Sequence, residues 1–148
     1  MEASEIERIA AGYVRYVESL ARTSHTDDAE VHVGESEFAE VKQSIHAGPA
    51  DVAWALVLEV LRHAPDDRLD VYAAGPLEDL VCRWGVDLVT QIEAEAAHDD
   101  RFRRALARIW LLIGDLPSEE LARIVHASGD EITPLNDHGI IKLIERAI

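Results

Sequence analysis

Residues 49–63 read PADVAWALVLEVLRH, and the ten at 52–61 are apolar at every position except Glu59. A helix that is apolar on nearly all sides is normally surrounded by other protein elements. Pro49 suits the first turn of such a helix, because the N–H that proline lacks would have had no partner there. The stretch therefore predicts a central, fully enclosed helix with Trp54 in the core.

The composition around that helix favours an all-α protein. Hydrophobic residues make up 48% of the 148 residues but aromatic residues only 5%, so the core consists mainly of Ala, Val, Leu and Ile. A chain of this length can bury about 70% of its unfolded surface. We predict a single all-α domain over residues 1–148, either an irregular helical bundle or a short HEAT-like array of antiparallel helix hairpins.

Apolar residues recur at helical spacing through most of the chain. Ser4 and Glu7 fit a reciprocal N-terminal cap for the first helix. Gly85 is expected to end one helix, and Asp99 to cap the helix that buries Phe102, Leu106, Ile109, Trp110 and Ile113. The predicted helices cover residues 5–22, 36–47, 49–63, 69–73, 77–84, 86–96, 100–113 and 117–125, with a last helix after Pro134 that buries Ile140, Ile141, Ile144 and Ile148.

The net charge restricts the class of partner. The chain has 14 Lys and Arg against 29 Asp and Glu, a formal net charge of -15. Nucleic acid and anionic membranes bind through Lys and Arg, so neither is an expected ligand. A strong negative charge either keeps a small protein in solution or attracts a basic protein surface.

Cysteine usage and the N-terminus indicate the compartment. The one cysteine, Cys82, excludes an intramolecular disulfide and a cysteine-rich zinc site, and its apolar neighbours predict a buried structural thiol. The N-terminus is acidic, unlike a secretion signal, and the longest apolar run covers only residues 52–58. We therefore expect a cytoplasmic location.

Residues 23–37 lose the helical pattern and contain Gly34, which predicts an acidic surface loop. Between Thr23 and Val41 there are six acidic residues and no Lys or Arg. Long loops in compact domains are often functional. The predicted partner-binding residues are therefore Asp27, Asp28, Glu30, Glu35, Glu37 and Glu40.

A second set of carboxylates supports a different class of function. The carboxylates of this set could converge on an acid/base or cation site if the helices that carry them are neighbours. The set consists of Glu59, Glu78, Asp79, Glu93 and Glu95. A solvent-facing stripe on each helix accounts for them equally well. The histidines near residues 25–32 lack the tight spacing of a metal motif, so no metal and no cofactor is predicted.

Three linked motifs carry a resemblance to a known family. Residues 75–80 read GPLEDL, residues 92–96 read IEAEA, and residues 99–110 read DDRFRRALARIW. Together they resemble an uncharacterised bacterial domain family with G-P-L-E-D-L, I-E-x-x-A and D-x-R-F-R-x-x-L-x-x-[VI]-W motifs, over about residues 54–112. The resemblance implies a helical fold and carries no activity.

Charge and size favour a small acidic protein that binds another protein. The specific expectation is an immunity or inhibitor protein that masks a basic partner surface by charge complementarity. Two alternatives stay open: a metal-dependent or acid/base enzyme that uses the clustered carboxylates, and a structural module of a larger assembly.

Overall fold

A computed structural model describes residues 1–22 and 33–136. Within these residues the chain is helical and contains no β-strand, only the isolated bridges Leu112 to Leu135 and Ile113 to Leu116. The all-α prediction is therefore confirmed. The α-helices are α1 (Ala3–Arg22), α2 (Glu35–Ala47), α3 (Ala50–His63), α4 (Leu69–Tyr72), α5 (Glu78–His98), α6 (Asp100–Leu106) and α7 (Ser118–Ala127).

The chain divides into two compact units, an N-terminal unit of residues Met1–Tyr72 and a C-terminal unit of residues Ala73–Ile148. The N-terminal unit contains α1 to α4, and the C-terminal unit contains α5 to α7. The prediction of one domain stays a prediction.

In the N-terminal unit, α1 packs against both α2 and α3. The apolar face of α3 is buried through Ala53, Leu56, Val57, Val60 and Leu61. Asp51 and Arg62 are exposed and Trp54 is only partly buried, so the prediction of a fully enclosed helix was wrong. Within residues 52–61 no side is exposed, but the side away from the buried face is only partly buried.

Aromatic rings fill the space between α1, α2 and α4. The Tyr13 ring stacks on Phe38 with 4.9 Å between centroids, and it lies 6.3 Å from the Tyr72 ring at a tilt. Gly34 precedes α2 with φ of 91°, a left-handed conformation that favours glycine. A side chain there would also collide with the carbonyl oxygen of Gly12, so this glycine permits the close approach of α2 to α1.

In the C-terminal unit, α5 runs without a break through Gly85, so the predicted helix end at that glycine was wrong. A Cβ atom at Gly85 would lie 3.0 Å from Cδ2 of Leu116 and 3.4 Å from Cδ1 of Ile124. The glycine therefore makes room for side chains packed against the middle of α5. Gly75 and Pro76 lie in a π-helical turn that leads directly into α5. Proline lacks one helical hydrogen bond, which accounts for the irregular turn.

Asp99 caps α6 as predicted, since its side chain accepts hydrogen bonds from the N–H groups of Arg101 and Phe102. The helix ends at Leu106, however, and the predicted buried stripe is only partly correct. Phe102, Leu106 and Ile109 are buried, whereas Trp110 and Ile113 are exposed.

Candidate functional site

The segment between α6 and α7 forms an ordered loop on the C-terminal unit. The N–H of Ile113 donates to the carbonyl oxygen of Leu135 at 2.8 Å, and the N–H of Leu135 donates to the carbonyl oxygen of Leu111 at 3.0 Å. These two bonds fix the loop against residues 132–136. Its side chains are therefore presented on a preformed surface.

Two carboxylates satisfy the main chain where helix α6 has ended. Glu78 accepts a hydrogen bond from the N–H of Trp110 at 2.6 Å, and Asp115 accepts one from the N–H of Leu112 at 2.9 Å. Main-chain N–H groups need partners once the helical pattern stops. Glu78, at the start of α5, thereby ties that helix to the main chain of the loop.

The loop places two large apolar side chains in solvent. Trp110 is 60% exposed and Ile113 63% exposed, the highest values among the large hydrophobic residues that the structure describes. Trp110 also lines a shallow groove between residues 107–111 and residues 131–135, together with one cation, Arg108, and one carboxylate, Glu131.

Negative charge surrounds the attachment point of this loop. Partial burial raises the pKa of the Glu78 carboxyl, and the nearby charges of Asp79 and Asp115 raise it further, against the lowering effect of the Trp110 N–H. We call the surface formed by Trp110, Ile113, Glu78, Asp79 and Asp115 the Trp110 face.

Cys82 lies beside these carboxylates, and its sulfur is 3.8 Å from Oδ2 of Asp115. The residue is exposed, so the prediction of a buried thiol was wrong. Desolvation of the sulfur, and then the charges of Asp115, Glu78 and Asp79, raise the pKa of the thiol to about 12. Only the thiolate is a good nucleophile, so this environment does not suit covalent catalysis.

The structure separates the predicted carboxylates of the second set that lie on α5. Glu78 and Asp79 lie at the start of α5, and Glu93 lies 15 residues further along the same helix, which is about 22 Å at the helical rise per residue. Glu93 pairs with Arg123 of α7, which lowers the pKa of its carboxyl. Glu95 is on α5 near Glu93, and Glu59 is on α3 in the N-terminal unit.

The predicted partner-binding residues are described only in part. Asp27, Asp28 and Glu30 lie outside the described residues. Glu35, Glu37 and Glu40 are on α2, which begins at Glu35, so the predicted loop over residues 23–37 extended slightly too far. Glu37 also lies 3.5 Å from the guanidinium of Arg8 on α1. A hydrogen bond from its own main chain, one from Ser36 and the charge of Arg8 lower the pKa of the Glu37 carboxyl.

Trp110, Ile113 and Asp115 were not predicted as surface residues. A signal was present: residues 109–113 are five consecutive apolar residues, followed by Gly114 and Pro117. A helix buried on one face cannot bury all of five consecutive side chains. The run therefore indicated that some of these apolar side chains lie in solvent.

Comparisons with known proteins identify the family alone. No helix among the described residues is long and apolar enough to cross a membrane. No curated protein and no solved structure matches the chain. A model described as a family of unknown function, DUF6869, matches residues 25–130, a range that includes the three motifs between residues 75 and 110. Because that match covers more than half of the chain, this protein belongs to the DUF6869 family.

Proposed function

We propose that this protein binds a Lys- or Arg-rich segment of a partner protein through the Trp110 face. The observation that carries the proposal is the exposed indole of Trp110 on a loop whose main chain is bound by carboxylates. Aromatic anchors of this kind contribute much of the free energy in protein interfaces.

Exposure of Trp110 and Ile113 is costly for a protein that acts alone. Each keeps well over half of its surface in water, only three residues apart in the chain. Apolar side chains that cluster at the surface commonly mark interaction sites. The hydrogen bonds of the loop to Leu135, Glu78 and Asp115 hold it in one conformation, so that binding orders fewer groups.

The charge of the Trp110 face specifies the partner. Three carboxylates, Glu78, Asp79 and Asp115, lie close enough for the two aspartates to raise the pKa of Glu78. A guanidinium or ammonium group can contact these carboxylates and also lie on the indole ring. The chain contains an example of such stacking, because the Arg83 guanidinium lies 4.0 Å from the centroid of the Trp84 ring.

The net charge of -15 disfavours a second copy of this chain on the same surface, because like charges repel. It favours a basic partner, whose approach the field would accelerate. We extend the proposal to an inhibitor or immunity role, in which the Trp110 face covers a basic functional surface of the partner. The enzyme alternative receives less support, since its carboxylates lie at opposite ends of α5 and on α3.

The test is affinity capture from the source organism at low salt, followed by kinetic measurement with the captured partner. Trp110→Ala should weaken binding about 30-fold or more, the effect of losing a hot spot of 2 kcal/mol. Val86→Ala is the matched control, because Val86 is also exposed on the C-terminal unit and lies outside the face. It should bind like the wild type.

A second variant tests the charges. Glu78→Gln, Asp79→Asn and Asp115→Asn together keep the amide oxygens as acceptors for the loop N–H groups while removing three charges. The association rate should fall, and the difference from wild type should shrink as salt rises toward 1 M. If Trp110→Ala and this triple variant both bind with wild-type rates, the Trp110 face is not the contact surface. The acidic residues between 27 and 40 then become the next candidate.

A further inference from the structure

The packing of α1 against α3 brings together two carboxylates and an imidazole. Glu7 extends from α1, and Glu59 and His63 extend from α3. One donor atom from each residue lies within 4.8 Å of the other two. The reciprocal cap predicted for Ser4 and Glu7 was wrong, because α1 begins at Ala3 and Ser4 therefore lies inside the helix and not before it.

Glu59 and His63 are four residues apart on one helix, so their side chains share a face. The Glu59 side chain is 17% exposed and that of His63 is 30% exposed. Nε2 of His63 is itself inaccessible to solvent and has no hydrogen-bond partner, although it lies 3.4 Å from Oε1 of Glu59. A buried nitrogen without a partner loses solvation free energy, so a native structure normally supplies one.

We propose that Glu7, Glu59 and His63 bind one divalent transition-metal ion, with Zn²⁺ as the best match. Zn²⁺ is bound in proteins by imidazole nitrogen and carboxylate oxygen at about 2.0–2.2 Å. Donors at that distance from one ion lie roughly 3–4 Å apart, so the observed spacing of up to 4.8 Å closes with small side-chain rotations. The ion supplies the missing partner of His63 Nε2.

The donor set also selects the class of metal. Mg²⁺ and Ca²⁺ prefer all-oxygen sites, whereas an imidazole ligand favours Zn²⁺, Co²⁺ and related ions. The three protein ligands come from two helices, so the bound ion links α1 to α3 within the N-terminal unit. With only three protein ligands, at least one coordination position is left for water or another ligand.

A simpler account assigns Glu59 to an ion pair with Arg62, whose Nη2 lies 3.0 Å from Oε1 of Glu59. The Arg62 side chain is 71% exposed, and exposed pairs one turn apart contribute little to stability. That account leaves Nε2 of His63 without a partner and gives Glu7 no role. Arg62→Gln removes only the competing cation, and the metal site predicts that Zn²⁺ binding persists in this variant.

The experiment uses the full chain, freed of metal with a chelator, and titrates it with Zn²⁺ by calorimetry. The wild type should bind one ion at this site, and its melting temperature should rise with Zn²⁺. His63→Ala and Glu7→Gln should each weaken that binding about 10- to 100-fold or more, since even residues that only support a metal ligand cost that much. Substituting Co²⁺ should give visible absorption bands that His63→Ala removes.

Two control variants separate the site from other histidines and from loss of fold. His126→Ala changes an exposed histidine that lies 3.5 Å from Asp130, a similar pair elsewhere in the chain, and should leave the Zn²⁺ affinity at this site unchanged. Arg62→Gln should bind Zn²⁺ as tightly as wild type or more tightly. Circular dichroism in chelator should be the same for all variants. Equal Zn²⁺ affinity and equal Co²⁺ spectra for wild type, His63→Ala and Glu7→Gln would overturn the proposal.

Discussion

Glu18 of the N-terminal unit and the two loop carboxylates of the C-terminal unit bind different kinds of partner. In the N-terminal unit, Glu18 binds side chains: it accepts a hydrogen bond from the Tyr72 hydroxyl at 2.7 Å and another from Nε of Arg68 at 2.6 Å. In the C-terminal unit, Glu78 and Asp115 bind main-chain N–H groups of the loop after α6. The first arrangement ties α1 to the end of its own unit, and the second holds an irregular segment in place.

The difference follows from how the main chain beside each carboxylate is satisfied. Long helices such as α1 and α3 pair their own N–H and C=O groups, so acidic side chains are available for contacts between helices. Where α6 stops after only seven residues, the following N–H groups need other acceptors. Packing between regular helices therefore depends on contacts between side chains, whereas an irregular surface loop depends on side chains that bind its main chain.

The largest expected effect on stability distinguishes two residues, Leu106 and Trp110, that were predicted to lie in one buried stripe. Leu106 is fully buried and Trp110 is exposed. Leu106→Ala should lower the free energy of unfolding by about 2–5 kcal/mol through lost burial and a cavity. Trp110→Ala should change it by no more than about 0.5 kcal/mol. Urea unfolding measures both, and equal losses would show that Trp110 belongs to the core.

The next effect concerns the side-chain contact of the N-terminal unit. Tyr72 is buried, and its hydroxyl donates to the carboxylate of Glu18. Tyr72→Phe should lower the free energy of unfolding by about 1.5–3 kcal/mol, the range for hydrogen bonds to charged groups. Tyr16→Phe is the control, because Tyr16 contacts Phe38 through its ring, which phenylalanine retains. Equal melting temperatures for the two variants would contradict this role for Glu18.

A smaller effect is expected at the cap of α6. Asp99 accepts hydrogen bonds from the N–H groups of Arg101 and Phe102, and Asp99→Ala should cost about 1 kcal/mol. The neighbouring Asp100 makes ion pairs with Arg103 and Arg104 on the surface, so Asp100→Ala should cost less. Chemical denaturation of both variants measures the difference. A larger loss for Asp100→Ala would show that surface ion pairs, and not the cap, stabilise this helix.

The smallest effect is a difference in pH dependence between Glu18 and Glu78. Burial raises the pKa of the Glu18 carboxyl, but hydrogen bonds from Tyr72 and Arg68 outweigh it, so the net pKa lies below the ordinary value. Glu18 therefore stabilises the fold above its unfolded pKa, and that stabilisation is lost as pH falls through the folded value. The pKa of Glu78 is raised, so its ionisation costs stability above the folded value, and this cost disappears on acidification toward the ordinary value.

Melting temperatures between about pH 3 and pH 7 test the two signs. Glu18→Gln should show a weaker loss of stability on acidification than the wild type. Glu78→Gln keeps an oxygen acceptor for Trp110 and should show a slightly stronger loss. The comparison between the units fails if both variants shift the pH profile in the same direction.

The local pattern of the sequence determined the helical class, the course of α1 to α3, the cap at Asp99 and the resemblance to an uncharacterised family. These features depend on residues three or four positions apart and on short-range capping, which the sequence displays directly. The expectation of an uncharacterised domain family is confirmed by the family match over residues 25–130.

Only the tertiary structure decided whether Gly85 ended a helix or accommodated a neighbour, because the answer depends on where Leu116 and Ile124 pack. The same holds for the exposure of Trp110. It also holds for the proximity of Glu7 to Glu59 and His63, both of which lie more than 50 residues further along the chain than Glu7. Helical periodicity states which side chains share a face of one helix. It contains no information on which face of another helix they meet, and that pairing is determined by the packing of the whole unit.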